Sequence, residues 1–125
     1  VAWAREQWPS LPLWLGVFSF GAWVALRCHA ALTASRLVTV APPVGRWDFS
    51  DVTPPALPWL VVQGAQDELV AAAEVERFAR ANGAALHWVS IADADHFFHG
   101  RLSELRAAVA DFLSVTRAGD QTRNE

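Results

Sequence analysis

Apolar residues gather in four short runs along this chain: Leu13 to Phe18, Arg36 to Pro43 ("RLVTVAPP"), Leu57 to Gly64 ("LPWLVVQG") and Ala85 to Ala92 ("ALHWVSIA"). Each reads as a strand, and the first two read as strands buried on both faces. The paired prolines Pro42 and Pro43 stop the second. Between the runs the spacing changes to that of helices. From about Phe20 to Thr33 the chain is alanine-rich, and Ala22, Ala25, Leu26 and His29 share a face. From Val70 to Asn82, Val75, Phe78 and Ala79 do the same, with Asn82-Gly83 closing the helix. Leu102, Leu105, Val109, Phe112 and Leu113 mark a last amphipathic helix. Residues 2–8 read as the end of a helix broken by "PSLP". Residues 44–58 read as a loop long enough to be functional, and "DADHFFHG" as a second loop.

The resulting order is strand, helix, strand, loop, strand, helix, strand, helix. It predicts an α/β fold with a parallel sheet of about four strands and flanking helices. Residues 1–116 form one domain, and 117–125 read as a frayed polar tail. Ligands of open parallel sheets bind beyond the carboxyl ends of the strands, so chemistry is sought there.

Composition narrows the function classes. The length of 125 residues suits one domain, and 53% hydrophobic with 18% charged residues is globular composition. A net charge of −3 gives no electrostatic attraction to nucleic acid or an anionic membrane. The uncharged stretch from Leu11 to Leu26 has 16 residues, short of the roughly 20 that cross a bilayer. Proline and glycine interrupt it. Cys28 is the single cysteine, so no internal disulfide forms, and the expected setting is the reducing cytoplasm. Its helical position reads as a small buried hydrophobe. The chain opens on Val1 and has no methionine. It is therefore expected to be processed or a piece of something longer. "VAWAREQW" lacks the pattern of a signal peptide. No metal-ligand spacing or glycine-rich phosphate loop occurs.

Three polar residues fall just past strand ends: Ser19 after the first, Asp67 after the third and His96 after the fourth. Parallel strands bring those loops to one edge of the sheet. A serine hydroxyl becomes a good nucleophile when a base takes its proton, and the base works best when an acid fixes its tautomer. A helix starting after Ser19 leaves free backbone N–H groups there, so the Phe20 N–H could help hold an oxyanion.

"FSFGA" between strand and helix, then "LVVQGAQDELV", then "ADHFFHGRLSEL", in the order Ser, Asp, His, resembles the α/β-hydrolase superfamily. The likeness is to its small bacterial members, similar to dienelactone hydrolases and small esterases. It covers residues 10 to 115 but only the C-terminal half of the family's fold. It implies Ser19 as nucleophile, Asp67 as acid and His96 as base. Glu68 is the local rival of Asp67, and His99 of His96. Asp93 and Asp95 are expected to be loop acids, and His29 and His87 structural. Val17 stands where the family's elbow has glycine. The resemblance also implies strands before the nucleophile strand, and the loop supplying a second oxyanion N–H, that the chain does not contain.

Two functions follow as expectations. One is a serine hydrolase acting on an ester-like acyl bond of a small molecule, without a cofactor, with Trp47 and Phe97 lining the pocket. Phe20 and Phe98 wall the site or fill core. The other is a non-catalytic fragment or association module, self-associating through the exposed edge of the first strand.

Overall fold

The computed structural model describes the backbone of residues 1–123 and the side chains of residues 1–116. Strands β1 (Trp14–Phe18), β2 (Arg36–Val40), β3 (Trp59–Gly64) and β4 (Leu86–Ile91) form one sheet in the order β1-β2-β3-β4, all parallel. The helices are α1 (Ala2–Gln7), α2 (Phe20–Cys28), α3 (Ala72–Asn82) and α4 (Leu102–Arg123). The α/β class and the four-stranded parallel sheet agree with the sequence pattern.

Period-two alternation divides the buried strands between two cores. Leu37, Trp59 and Val61 turn to the side where Ala25 and Leu26 of α2 and Val75 and Ala79 of α3 pack. Val38, Val40, Leu60 and Val62 turn to the other side, with Ile91, Ala94, Phe98 and Phe112. Every residue of β2 and β3 is therefore buried, as continuous apolar runs between helical layers must be. Burial of a large aliphatic side chain here contributes roughly 1.5–3 kcal/mol. Two polar members of these strands have partners: Trp59 Nε1 donates to Thr39 Oγ1 at 3.0 Å, and the buried Arg36 guanidinium donates to Thr116 Oγ1 (2.9 Å) and Thr116 O (2.7 Å). That second pair fastens α4 to the start of β2.

The structure corrects several sequence expectations. β1 is an edge strand, not a fully buried one. Leu15 and Val17 pack against the α2–α3 core, whereas Trp14 and Phe18 are exposed. An uninterrupted apolar run cannot distinguish an edge position from a central one. α2 ends at Cys28 rather than near Thr33, and the chain turns through Thr33, at a φ of 51°, to reach β2. Cys28 is half-buried. Gly83 does close α3, but in an extended conformation (φ −99°), not a left-handed one. Its lack of a side chain is explained by Trp59, whose ring would lie 2.9 Å from an added Cβ. Leu102 is exposed at the start of its helix. The backbone of α4 continues helically to Arg123, through most of the expected tail. Residues 124–125, and all side chains from 117 on, lie outside the described residues.

The loop between β2 and β3 is held to α2 at several points. Trp23 Nε1 donates to Asp48 O (2.8 Å), His29 Nε2 to Thr53 O (2.8 Å), and Thr53 N to Leu26 O (3.2 Å). Arg27 pairs with Asp51 and lies over the Trp23 ring. His29 thus has the structural role expected of it. The uncharged stretch from Leu11 to Leu26 is shared between β1 and α2. Among the described residues no helix is long and apolar enough to cross a membrane.

Candidate active site

Ser19 links the end of β1 to the start of α2 with a φ of 52° and a ψ of −117°. A non-glycine residue rarely adopts a positive φ, and holding one there costs on the order of 1–3 kcal/mol. The surroundings enforce it: Ser19 N donates to Val40 O at 2.8 Å, and Ser19 O accepts from Ala22 N at 2.9 Å. The turn leaves the Phe20 N–H at the first position of α2, without a partner inside the helix.

Val17 does not prevent this turn. A Cβ added at Gly21 would lie 3.3 Å from Val17 Cβ, so the two positions face each other and the glycine makes room for the valine. Gly21→Ala is therefore expected to lower stability in the natural sequence. In a Val17→Gly background it should be neutral or stabilising, because alanine suits a helix better than glycine. The coupling is on the order of 1 kcal/mol. Denaturant unfolding of the four chains measures it, and additive effects would contradict the contact.

Ser19, His96 and Asp67 come together at the carboxyl ends of the strands. Ser19 Oγ lies 3.0 Å from His96 Nε2, and His96 Nδ1 lies 2.8 Å from Asp67 Oδ2. The His96 and Asp67 side chains are almost wholly buried, at 4% and 0% exposure. Asp67 is held from three directions besides. Its Oδ1 accepts the N–H groups of Leu69 and Val70, both at 2.8 Å, and its Oδ2 accepts Gln63 Nε2 at 3.0 Å. With His96 that makes four donors, which fill the acceptor sites of a carboxylate.

The rivalry between neighbouring residues resolves into separate tasks. Asp67 meets the His96 ring, while Glu68 Oε2 accepts the His96 backbone N–H at 3.2 Å. His99 points away, with a 77% exposed side chain, and pairs with Asp95 at 2.6 Å. The hydrogen bond that His99 Nδ1 donates to Asp95, together with the Asp95 charge, holds the His99 imidazole above the ordinary histidine value. The same bond, with the His99 backbone N–H, holds the Asp95 carboxyl below the usual carboxylate range. Asp93 pairs with Arg101 at 3.3 Å. Both are loop acids, as expected.

The His96 loop is anchored from below. Ala94 and Phe98 are buried in the second core, and Gln66 N donates to Ala94 O at 3.0 Å. Gly64 sits directly under this loop: an added Cβ would stand 2.4 Å from Ala94 O and 2.8 Å from Asp95 O. Among the described residues no group of three or more His, Cys, Asp or Glu could hold a metal ion.

No family model matches the sequence. The chain is 45% identical to an α/β serine hydrolase without a lid from Xanthomonas campestris, with a TM-score of 0.79 over 90% of this chain and 51% of that one. It is 39% identical to an α/β serine hydrolase homologue from Coxiella burnetii, with a TM-score of 0.80 over 88% and 53% of the two chains. An uncharacterized protein of Rickettsia prowazekii is 31% identical over 116 residues, 86% of this chain and 49% of that protein. The chain belongs to the α/β-hydrolase superfamily. It spans about half the length of the relatives it matches.

Aromatic rings flank the serine and histidine of this α/β-hydrolase chain. Phe18 and Phe97, both exposed, lie 5.3 and 5.0 Å from the His96 ring. Phe20, Trp23 and Trp47 form a cluster with ring centroids 5.1–5.7 Å apart. Trp47 therefore stands beside the residue that follows Ser19, and Phe98 is core. Sequence reasoning missed Gln63, Gly64, Phe18 and Trp23. Gln63 did carry a signal: it is an amide inside an otherwise apolar run.

Proposed function

We propose that this chain carries the nucleophile, base and acid of a serine hydrolase that cleaves an ester-like acyl bond without a cofactor. The observation behind the reading is the hydrogen-bonded series Ser19–His96–Asp67, with Ser19 at a strained turn. Ser19 Oγ attacks the acyl carbon while His96 Nε2 takes its proton. Asp67 holds Nδ1–H and steadies the imidazolium. The Phe20 N–H donates to the oxyanion as the tetrahedral intermediate forms. Collapse breaks the bond to the leaving oxygen, which receives the proton from His96. A water molecule, deprotonated by His96, then releases the acid and restores Ser19. Trp47 and Phe97 line the substrate pocket, and the aromatic walls favour an apolar small-molecule substrate over a charged one. The lone thiol of Cys28 is in keeping with a cytoplasmic setting.

A second reading has its own support. Among the described residues no strand pairs with the outer edge of β1, and Trp14 and Phe18 are exposed along it. An unpaired apolar edge favours association with another polypeptide or a second copy. On this view the chain reacts only when so joined.

Labelling with a fluorophosphonate, which modifies activated serines, separates the two. Label on the isolated chain that disappears in Ser19→Ala supports the hydrolase reading. Label unchanged by that substitution removes Ser19 from its role, and no label on the isolated chain favours the second reading.

A further inference from the structure

Gln63 is wholly buried in β3, and its Oε1 has no hydrogen-bond partner among the described residues. A buried polar atom without a partner is costly and calls for an explanation. An apolar side chain of the same size would fill the space without that cost. The other end of the amide supplies the reason. Gln63 Nε2 donates to Gly64 O at 3.2 Å and to Asp67 Oδ2 at 3.0 Å. Turning the amide over would set Oε1 against those two acceptors, so the network fixes its orientation. The same Asp67 oxygen receives His96 Nδ1. One amide and one imidazole thus share a single carboxylate oxygen, and the amide comes from a rigid central strand.

We propose that Gln63 is a positioning residue for His96, acting through Asp67. The residue never touches Ser19 or a substrate. Its amide fixes the plane of the carboxylate and leaves one direction at Oδ2 open for the imidazole. It also draws charge from Oδ2 and so sets the strength of the Asp67–His96 bond. Leu69 N and Val70 N hold the opposite oxygen, which leaves the amide as the element that controls the shared one. This inference rests on the hydrolase reading for its kinetic consequence but not for its structural one.

Gln63→Met tests it, since methionine matches the shape and lacks the donor. The primary readout is the proton resonance of His96 Nδ1–H, assigned by its loss in His96→Ala. It is expected to move in Gln63→Met while the thermal midpoint stays within a few degrees of the parent. Fluorophosphonate labelling of Ser19 is expected to slow about tenfold. Gln63→Asn, whose shorter amide falls away from Asp67, should shift the same resonance and serves if the methionine variant does not fold. An unmoved resonance in a folded variant would reduce Gln63 to a packing role and overturn the proposal. Absence of label on the parent chain would count against the hydrolase reading alone, because the resonance reports on His96 whether or not Ser19 reacts.

Discussion

Asp67→Asn is expected to slow the reaction of Ser19 with a fluorophosphonate by about 10³–10⁴-fold while the chain stays folded. The reason lies in which atoms the neighbours demand. Leu69 N and Val70 N both donate to Oδ1, so an asparagine must keep its oxygen there. Its NH₂ group then occupies the place of Oδ2, facing the Gln63 amide and His96 Nδ1. Two donors would confront a third. His96 can relieve the conflict by moving its proton to Nε2, which makes Nδ1 an acceptor. That tautomer points a hydrogen at Ser19 and can no longer take its proton. Labelling kinetics, with thermal unfolding as a check on folding, measure the effect. A fall of less than tenfold would mean that Asp67 does not set the tautomer.

Gly64→Ala should damage both stability and reactivity. The added methyl would stand far inside the contact distance of two backbone carbonyls, Ala94 O and Asp95 O. Neither neighbour yields easily, because Ala94 is buried in the core and Gly64 is held in register with Ile91 of β4. The loop must lift, and His96, one residue beyond, must move with it. The expected cost is about 2–3 kcal/mol, accompanied by loss of the Gln66 N to Ala94 O bond and of labelling at Ser19. Gly16→Ala is the matched control, since an added Cβ there meets nothing within 4 Å. Denaturant unfolding and labelling of both variants decide the matter. A Gly64→Ala chain as stable and reactive as its parent would show that the loop has room to spare.

Much of this organisation was legible in the sequence because it depends on local pattern. The unbroken apolar run of β2 signals a strand covered on both faces, whereas the similar run of β1 gives no sign of its edge position. The positions of Ser19, Asp67 and His96 just past strand ends signal one shared edge. What escaped depends on contacts between distant segments. Gly64 looks like an ordinary strand terminus until the His96 loop is laid over it. Gly83 looks like a left-handed helix cap until the Trp59 ring is set beside it. Gln63 breaks an apolar run visibly, but its purpose requires the position of Asp67, four residues on and around a turn. Val17 departs from the family pattern, and only the open space at Gly21 explains why the turn survives. The choice between Asp67 and Glu68 was equally a matter of three dimensions, since one carboxylate meets the ring of His96 and the other its main chain.

The strands take their places in the sheet in the order in which the ribosome makes them. Ser19 therefore emerges long before its base, and Asp67 also precedes it. Until β4 has been laid on β3, no imidazole stands near the hydroxyl. On the proposed mechanism, a chain in which β4 has not yet joined β3 holds Ser19 without the base that would take its proton.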